Sequence, residues 1–243
     1  MKRVLLLGAS GLIAPHMIPL LEPHYELVLG DIKAHPQGRA VEPVDITVYE
    51  QVLAAARGVD AILNCTVNRG DPVQSFRVNV NGCFHVLRAA VELGIRKVVH
   101  TGPQQVWPEY HHFHDVDDPP GRGGPGYYGY TKTMSLQLCQ AYAREHGLQV
   151  VCFLYCHLGA APTERQVARD FHPFSVVWED VVEACRLAIE MEQVPGNYQS
   201  FNLHSHPGHG KYRLDKAARI LGFRPQLPLE ELYRRPLTPP PPA

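Results

Sequence analysis

The chain has 243 residues, 45% of them hydrophobic and 19% charged, which is enough apolar material for one sizeable core and a small appendage. A formal net charge of −1 with no block of like charges excludes the basic face that nucleic acid or an anionic membrane surface requires. A small-molecule or protein-binding protein remains, expected in the cytoplasm: its six cysteines stand mostly in apolar stretches without a CxxC pair and read as reduced core residues.

The first apolar run, RVLLLG, reads as a strand, followed by a helix from about Gly11 to Leu21. Two basic residues and a small-residue patch give MKRVLLLGASGLIA some likeness to a secretory leader. Its apolar run is short and broken by Gly8 and Gly11, so strand and turn are the expected reading. No apolar run reaches the roughly 18 residues of a membrane span.

GASGLIA lies where this strand turns into the helix. Gly8 permits the tight turn, Gly11 lets the backbone approach a pyrophosphate, Ala14 allows close helix packing, and the helix N-terminus offers unpaired N–H groups to the anion. The second strand, YELVLGD, ends in Asp31, roughly 20 residues past the glycines. A carboxylate there accepts hydrogen bonds from adenosine ribose hydroxyls and repels a 2′-phosphate. NAD is therefore expected over NADP, although Lys33 and Arg39 stand nearby in sequence.

A helix near Tyr49 to Ala56, a strand DAILNC, a long helix from about Pro72 to Leu93, a strand KVVHTG, a helix from about Tyr128 to His146 and a strand LQVVCFLY follow. Strands that are continuously apolar and alternate with helices predict a doubly wound α/β fold, a parallel sheet covered on both faces. HLGAAPTERQVARDFHPF lacks periodicity and reads as a loop over the site. A helix from about Glu179 to Met191, a strand YQSFNL and a helix within KYRLDKAARILG come next. Residues 1–230 are expected to form one domain whose small substrate lobe is built mainly from about 156–225, with a disordered Pro-rich tail over 231–243.

YYGYTK opens the helix that starts near Tyr128. Residues i and i+4 share one helix face about 5–6 Å apart, so Lys132 can hold its ammonium near the phenol of Tyr128, whereas Tyr127 has Thr131 at that spacing. The fourteen histidines include two clusters, HHFHD (His111 to Asp115) and HSHPGHG (His204 to Gly210). Neither has a matching ligand set, so both read as polar loops and no metal is expected.

Taken together, the order of these motifs resembles the extended short-chain dehydrogenase/reductase family, the NAD-dependent epimerase/dehydratase group of sugar enzymes. The resemblance covers residues 1 to about 225 and includes VNVNGCFHVLRAA, VVWEDVVEA and ILGFRP. It implies that NAD is contacted by Gly8, Ser10, Gly11, Leu12, Ile13 and Asp31, by Asp45 and Ile46 of VDIT toward the adenine, and by Asn64, Cys65 and Thr66 of NCT. It also implies that Tyr128 and Lys132 stand beside the nicotinamide. Tyr128 is then the acid/base, and Lys132 holds the nicotinamide ribose, supported by Asn79. A neighbouring ammonium and an oxidised nicotinamide favour phenolate, which is expected to bring Tyr128 closer to working pH. The helices 72–93 and 128–146 are expected to pair across a homodimer as a four-helix bundle.

Departures from the family pattern narrow the expectation. The fourth strand of the family delivers a serine or threonine three residues before the valine of a VY pair, and counting back from Val106 gives Pro103, which has no side-chain donor. Thr101, Gln104 or Gln105 are the candidate substitutes, or the register slips by one residue. Phe153 replaces the arginine of the family's fifth-strand motif. Only 111 residues follow Lys132, which points to a ligand smaller than a nucleotide sugar and to the compact uronate dehydrogenases. His112 falls between the fourth strand and YGYTK, a stretch that lines the site mouth in the family, and is a candidate for proton transfer. The expected function is NAD-dependent oxidation or reduction of a small sugar or sugar acid. A sugar epimerase or dehydratase that uses bound NAD transiently is the closest alternative. A catalytically impaired NAD-binding regulator is the other, motivated by Pro103.

Overall fold

Short β-branched and leucine-rich runs form the strands β1 (Arg3–Leu7), β2 (Glu26–Asp31), β4 (Ala61–Asn64), β5 (Lys97–Pro103) and β6 (Gln149–Tyr155), and the exposed pair Glu42–Pro43 adds a short strand β3 at the sheet edge. The computed structural model describes residues 1–104, 126–162, 174–206, 212–227 and 229. Beyond β6, β7 (His157–Gly159) pairs with β8 (Ser175–Val177) in a separate two-stranded ribbon. β9 (Tyr198–Asn202) returns to the main sheet beside β6. The main sheet runs β3-β2-β1-β4-β5-β6-β9, with parallel pairing throughout.

Helices cover both faces, as the continuous apolar strands require. On one face α1 (Ala14–Leu21) and α5 (Trp178–Glu190) bury Met17, Ile18, Val181 and Cys185 against Val99, Val151 and Phe153. On the other, α2 (Tyr49–Ala55), the helical run α3 (72–92) and α4 (Gly126–His146) bury Val52, Leu87, Leu136 and Cys139 against Leu5, Ile62, Val98 and Val150. Val98 and Val99 point to opposite cores because strand side chains alternate. The strand order reverses between β1 and β4, and the crevice outside the carboxyl ends of strands at such a switch point is where open α/β sheets bind ligands. Gly8 and Asn64 both stand there.

The α/β alternation is borne out, with differences of detail. Pro15 in its first turn lets α1 start at Ala14 rather than Gly11, since proline has no N–H to place within a helix interior. The middle of α3, Phe76–Gly82, is π-helical and carries Asn79. The helix expected within KYRLDKAARILG contracts to a π-helical turn, Ala217–Leu221, ended by Gly222 at φ 76°. β3, β7 and β8 are too short to leave a periodic signal. β7 and β8 flank part of the segment expected as loop, of which 163–173, like the tail over 231–243, lies outside the described residues. No described helix is long and apolar enough to cross a membrane. Five of the cysteines are buried thiols, and Cys156 is exposed.

Phe153, where the resemblance leads one to expect arginine, is fully buried, its ring centroid 6.5 Å from that of Tyr155 and 6.4 Å from that of Phe201. Phe153→Ala is expected to cost about 3–5 kcal/mol, read as a lower midpoint in urea unfolding.

Candidate active site

At the end of β1 the chain turns at Gly8 with φ 82°. A Cβ there would stand 2.9 Å from the backbone of Cys65 and Thr66, so only glycine fits. The Gly8 and Ala9 amides donate to Gly30 O at 2.9 and 3.2 Å, which ties the turn to β2. Ser10 N and Lys33 N donate to the two oxygens of Asp31, each at 2.9 Å, fixing that carboxylate at the strand end with lone pairs to spare. A cavity of about 240 Å³ opens here. Gly8, Ser10, Gly11, Leu12, Ile13, Asp31, Asp45, Ile46, Cys65 and Thr66 all line it. Asn64 does not: it is buried, its Oδ1 accepting from Thr66 N and Oγ1 at 3.1 and 2.6 Å, and so it positions the loop behind the cavity wall.

A second cavity, about 300 Å³, is lined by Thr101, Pro103, Tyr128, Lys132, Tyr155 and Cys156 among others. It shares Ile13, Cys65, Val67 and Arg69 with the first. Tyr128 and Lys132 enter it from the same face of α4, whereas Tyr127 and Tyr130 are more than half exposed, so Tyr128 is the tyrosine that faces the crevice. Lys132 is only 2% exposed, and its Nζ has no hydrogen-bonding partner among the described residues. Burial pushes its pKa down.

Burial also holds the Tyr128 phenol above its ordinary pKa, and Arg69 is the group that pulls it back. The Arg69 guanidinium carbon stands 5.1 Å from the centroid of the tyrosine ring. Without nicotinamide, desolvation dominates at the phenol, and the counteracting charge comes from a loop arginine that the sequence reading did not single out.

Asn79 acts at one remove. Its Oδ1 accepts from Asn68 N and its Nδ2 donates to Asn68 O and to Thr131 Oγ1, each at 2.9 Å. The π-helical turn of α3 thereby clamps the loop after β4 to the helix carrying Tyr128, which makes Asn79 a positioning residue. His100, which the sequence reading passed over in favour of the histidine clusters, is buried in β5 between Asn64 Nδ2 at 3.3 Å and Ser135 Oγ at 3.0 Å. Desolvation and the Lys132 charge keep it neutral, with a pKa well below the usual histidine value. Its only sequence signal is a histidine set directly after the apolar pair Val98 and Val99 of a buried strand.

Around Pro103 the candidates separate. Thr101 lines the cavity, its hydroxyl donating to Asn64 O at 3.2 Å. Gln104 corrects the expectation of a substrate contact: it is buried, its amide reaching Asn202 on β9 at 3.4 Å, and it lines neither cavity. Gln105, His112 and the HHFHD cluster lie outside the described residues, as does most of the second cluster, whose His204 bonds Tyr212 O at 2.6 Å. Cys83, His100 and Cys139 bring their ligand atoms within 4.8 Å of one another, a grouping the sequence did not disclose. Both His100 nitrogens are engaged, and the Lys132 charge nearby disfavours a second cation there.

The residues fit a dinucleotide: a glycine cradle that a Cβ would fill, a fixed carboxylate at the end of β2, and a buried ammonium lacking an acceptor at the far end. The profile of the NAD dependent epimerase/dehydratase family matches residues 4–176. A uronate dehydrogenase of Pseudomonas syringae pv. tomato is 27% identical over 159 residues, 62% of this chain and 57% of that protein. The chain thus spans a little over half the length of that relative. Among solved structures, a short-chain dehydrogenase/reductase superfamily protein from Agrobacterium tumefaciens with bound NAD superposes with a TM-score of 0.78 at 16% identity, over 95% of this chain and 94% of that one. A UDP-glucose 4-epimerase from Brucella ovis in complex with NAD gives 0.74 at 17% identity, over 96% and 97%. At these identities the superpositions establish the fold.

Replacing Asp31 tests the cradle. Asp31→Ala is expected to weaken NAD⁺ binding by about tenfold or more, the worth of a charge-assisted hydrogen bond, and to narrow the preference over NADP⁺, both read by calorimetric titration.

Proposed function

Because the chain belongs to the NAD-dependent epimerase/dehydratase family, we propose that it catalyses oxidation or reduction at a hydroxyl or carbonyl of a small sugar or sugar acid, with Tyr128 as the acid/base. Its cofactor is NAD. The observation that carries the reading is the pairing of Tyr128 and Lys132 in a cavity that shares walls with the glycine cradle.

When bound, NAD supplies the hydride acceptor or donor. In the oxidative direction the Tyr128 phenolate takes the proton from the substrate hydroxyl, and in reduction the phenol returns it to the carbonyl oxygen. Lys132 Nζ, which has no acceptor among the described residues, donates to the nicotinamide ribose hydroxyls. Thr101 takes the place of the hydroxyl missing at Pro103, releasing its 3.2 Å bond to Asn64 O for the reacting oxygen. Asn79 holds the two sides of the crevice in register. A cavity of about 300 Å³ suits a monosaccharide-sized ligand, and the uronate dehydrogenase of Pseudomonas syringae pv. tomato favours a sugar acid.

We further propose a homodimer in which α3 and α4 pair with their copies. These helices expose Val73, Phe76, Phe84, Val91, Tyr127 and Tyr130. Small-angle scattering is expected to give twice the chain mass, and a monomer mass removes the pairing.

The test of turnover is NADH formation against a panel of uronic acids, aldoses and polyols. Tyr128→Phe is expected to lower the rate by about 10²–10⁴-fold while NAD⁺ still binds. Since burial raises the Tyr128 pKa, kcat/KM for oxidation is expected to climb with pH through the neutral and alkaline range, and reduction to persist at lower pH. Sugar isomerised without NADH release would assign an epimerase instead. Bound NAD⁺ with no conversion of any sugar would assign a regulatory protein.

A further inference from the structure

Among the described residues, the charge lining the cavity shared by Tyr128 and Lys132 is of one sign. Among its described lining residues the charged side chains are Lys132 and Arg69, and no carboxylate is present. Lys132 lies at the closed end, where the nicotinamide ribose is expected. Arg69 is exposed at the seam with the glycine cradle, its guanidinium carbon 5.1 Å from the centroid of the Tyr128 ring. Among the described residues no carboxylate forms an ion pair with it.

The loop that carries Arg69 is held on both sides. Asn79 takes the Asn68 N–H and C=O, each at 2.9 Å, and Asn68 Oδ1 accepts from Gly70 N at 3.2 Å and Asp71 N at 3.3 Å. Since Asn79 also bonds Thr131 on α4, the arginine backbone and the Tyr128 helix share one clamp. An arginine whose loop is fixed in this way beside Tyr128, over a cavity whose described lining carries only positive charge, is arranged to meet an anion. A neutral polyol offers its planar fork of donors only single hydroxyl acceptors, whereas a carboxylate accepts two parallel charge-assisted N–H bonds from it.

We propose that Arg69 is the carboxylate receptor of the substrate site, so that the molecule presented to Tyr128 is a sugar acid. The inference rests on the reading of this cavity as the substrate site. The receptor sits on the loop after β4, a part of the chain where the sequence shows no motif for it. Its second effect follows from position: the guanidinium stabilises the Tyr128 phenolate, so loss of its charge moves the alkaline limb of the oxidation profile to higher pH.

The test is calorimetric titration of the full chain, saturated with NADH, with glucuronate, galacturonate and gluconate and with their neutral counterparts glucose and galactose. It is run on the unaltered protein, Arg69→Gln and Arg69→Lys, with NADH formation from NAD⁺ measured in parallel. The acids are expected to bind at least about tenfold tighter than the neutral sugars. Arg69→Gln should erase that preference by weakening the acids about 10–100-fold and the neutral sugars less than about twofold, and Arg69→Lys should keep part of it. Absence of a preference in the unaltered protein overturns the proposal, as does a preference that survives in Arg69→Gln. A drop in NADH affinity with the acid preference intact would assign Arg69 to the cofactor and overturn it equally. Acid binding that depends on Arg69 without NADH formation from any sugar leaves the receptor standing and removes the dehydrogenase reading. Unchanged melting temperatures show that both variants fold.

Discussion

Lys132 carries its ammonium into the interior, among the Cys65, Cys83, Cys139 and Cys152 thiols, where no described group accepts its hydrogens. Desolvation of a cation in such a place costs several kcal/mol unless something compensates it. Much of the surrounding structure is accordingly arranged to hold the helix that bears it. Ser135 Oγ donates to Lys132 O at 2.7 Å, His100 bonds Ser135, and Asn64 bonds His100, so a chain of buried hydrogen bonds runs from the end of β4 through β5 to α4. On the outer side Asn79 fastens the same helix to the loop after β4. An acceptor reaching Lys132 Nζ would offset that cost, and the ribose hydroxyls of the proposed NAD contact are groups that could do so.

The same clamp connects the two cavities. The loop between β4 and α3 contributes Thr66 to the cofactor side and Arg69 to both. Its placement depends on the π-helical turn Phe76–Gly82 within α3. The extra residue of such a turn re-aims side chains relative to a regular helix, and such turns are frequent at functional sites. Gly82 lets this turn approach Ile46, since a Cβ there would stand 2.7 Å from the isoleucine Cγ2. The wall of the first cavity, the loop that carries Arg69 and the helix that carries Tyr128 are in this way fixed by one segment of chain.

Pro103 leaves a gap in that otherwise regular arrangement. It pairs in register with Tyr155 and lines the cavity without a donor. Thr101 is one turn of the pleat away, facing the same side, and its hydroxyl is held by Asn64 O at the long end of hydrogen-bonding distance. A positively charged group near the phenol also changes the chemistry available there. Arg69 pulls the Tyr128 phenol toward its ionised form against the desolvation that raises it, and the exposure of the arginine to water screens part of that pull.

The α/β alternation, the glycine turn with Asp31, and the choice of Tyr128 over Tyr127 were legible in the sequence because each rests on local geometry. Strand and helix periods are 2 and 3.6 residues, a left-handed glycine is a property of one position, and i to i+4 spacing defines a helix face. The partners of Gln104 and Asn79, and the parts played by His100 and Arg69, were not. Gln104 turns toward a partner 98 residues away on β9, and Asn79 acts through Asn68 and Thr131 rather than directly. The direction of the Tyr128 pKa was set by burial and by Arg69, neither of which spacing discloses. The sequence by itself determined the fold class, the glycine turn and the placing of Tyr128 and Lys132 on one helix face. Only the tertiary structure decided which charges surround that pair and which side chains position it, because those depend on strands and loops distant in sequence being brought to one end of the sheet.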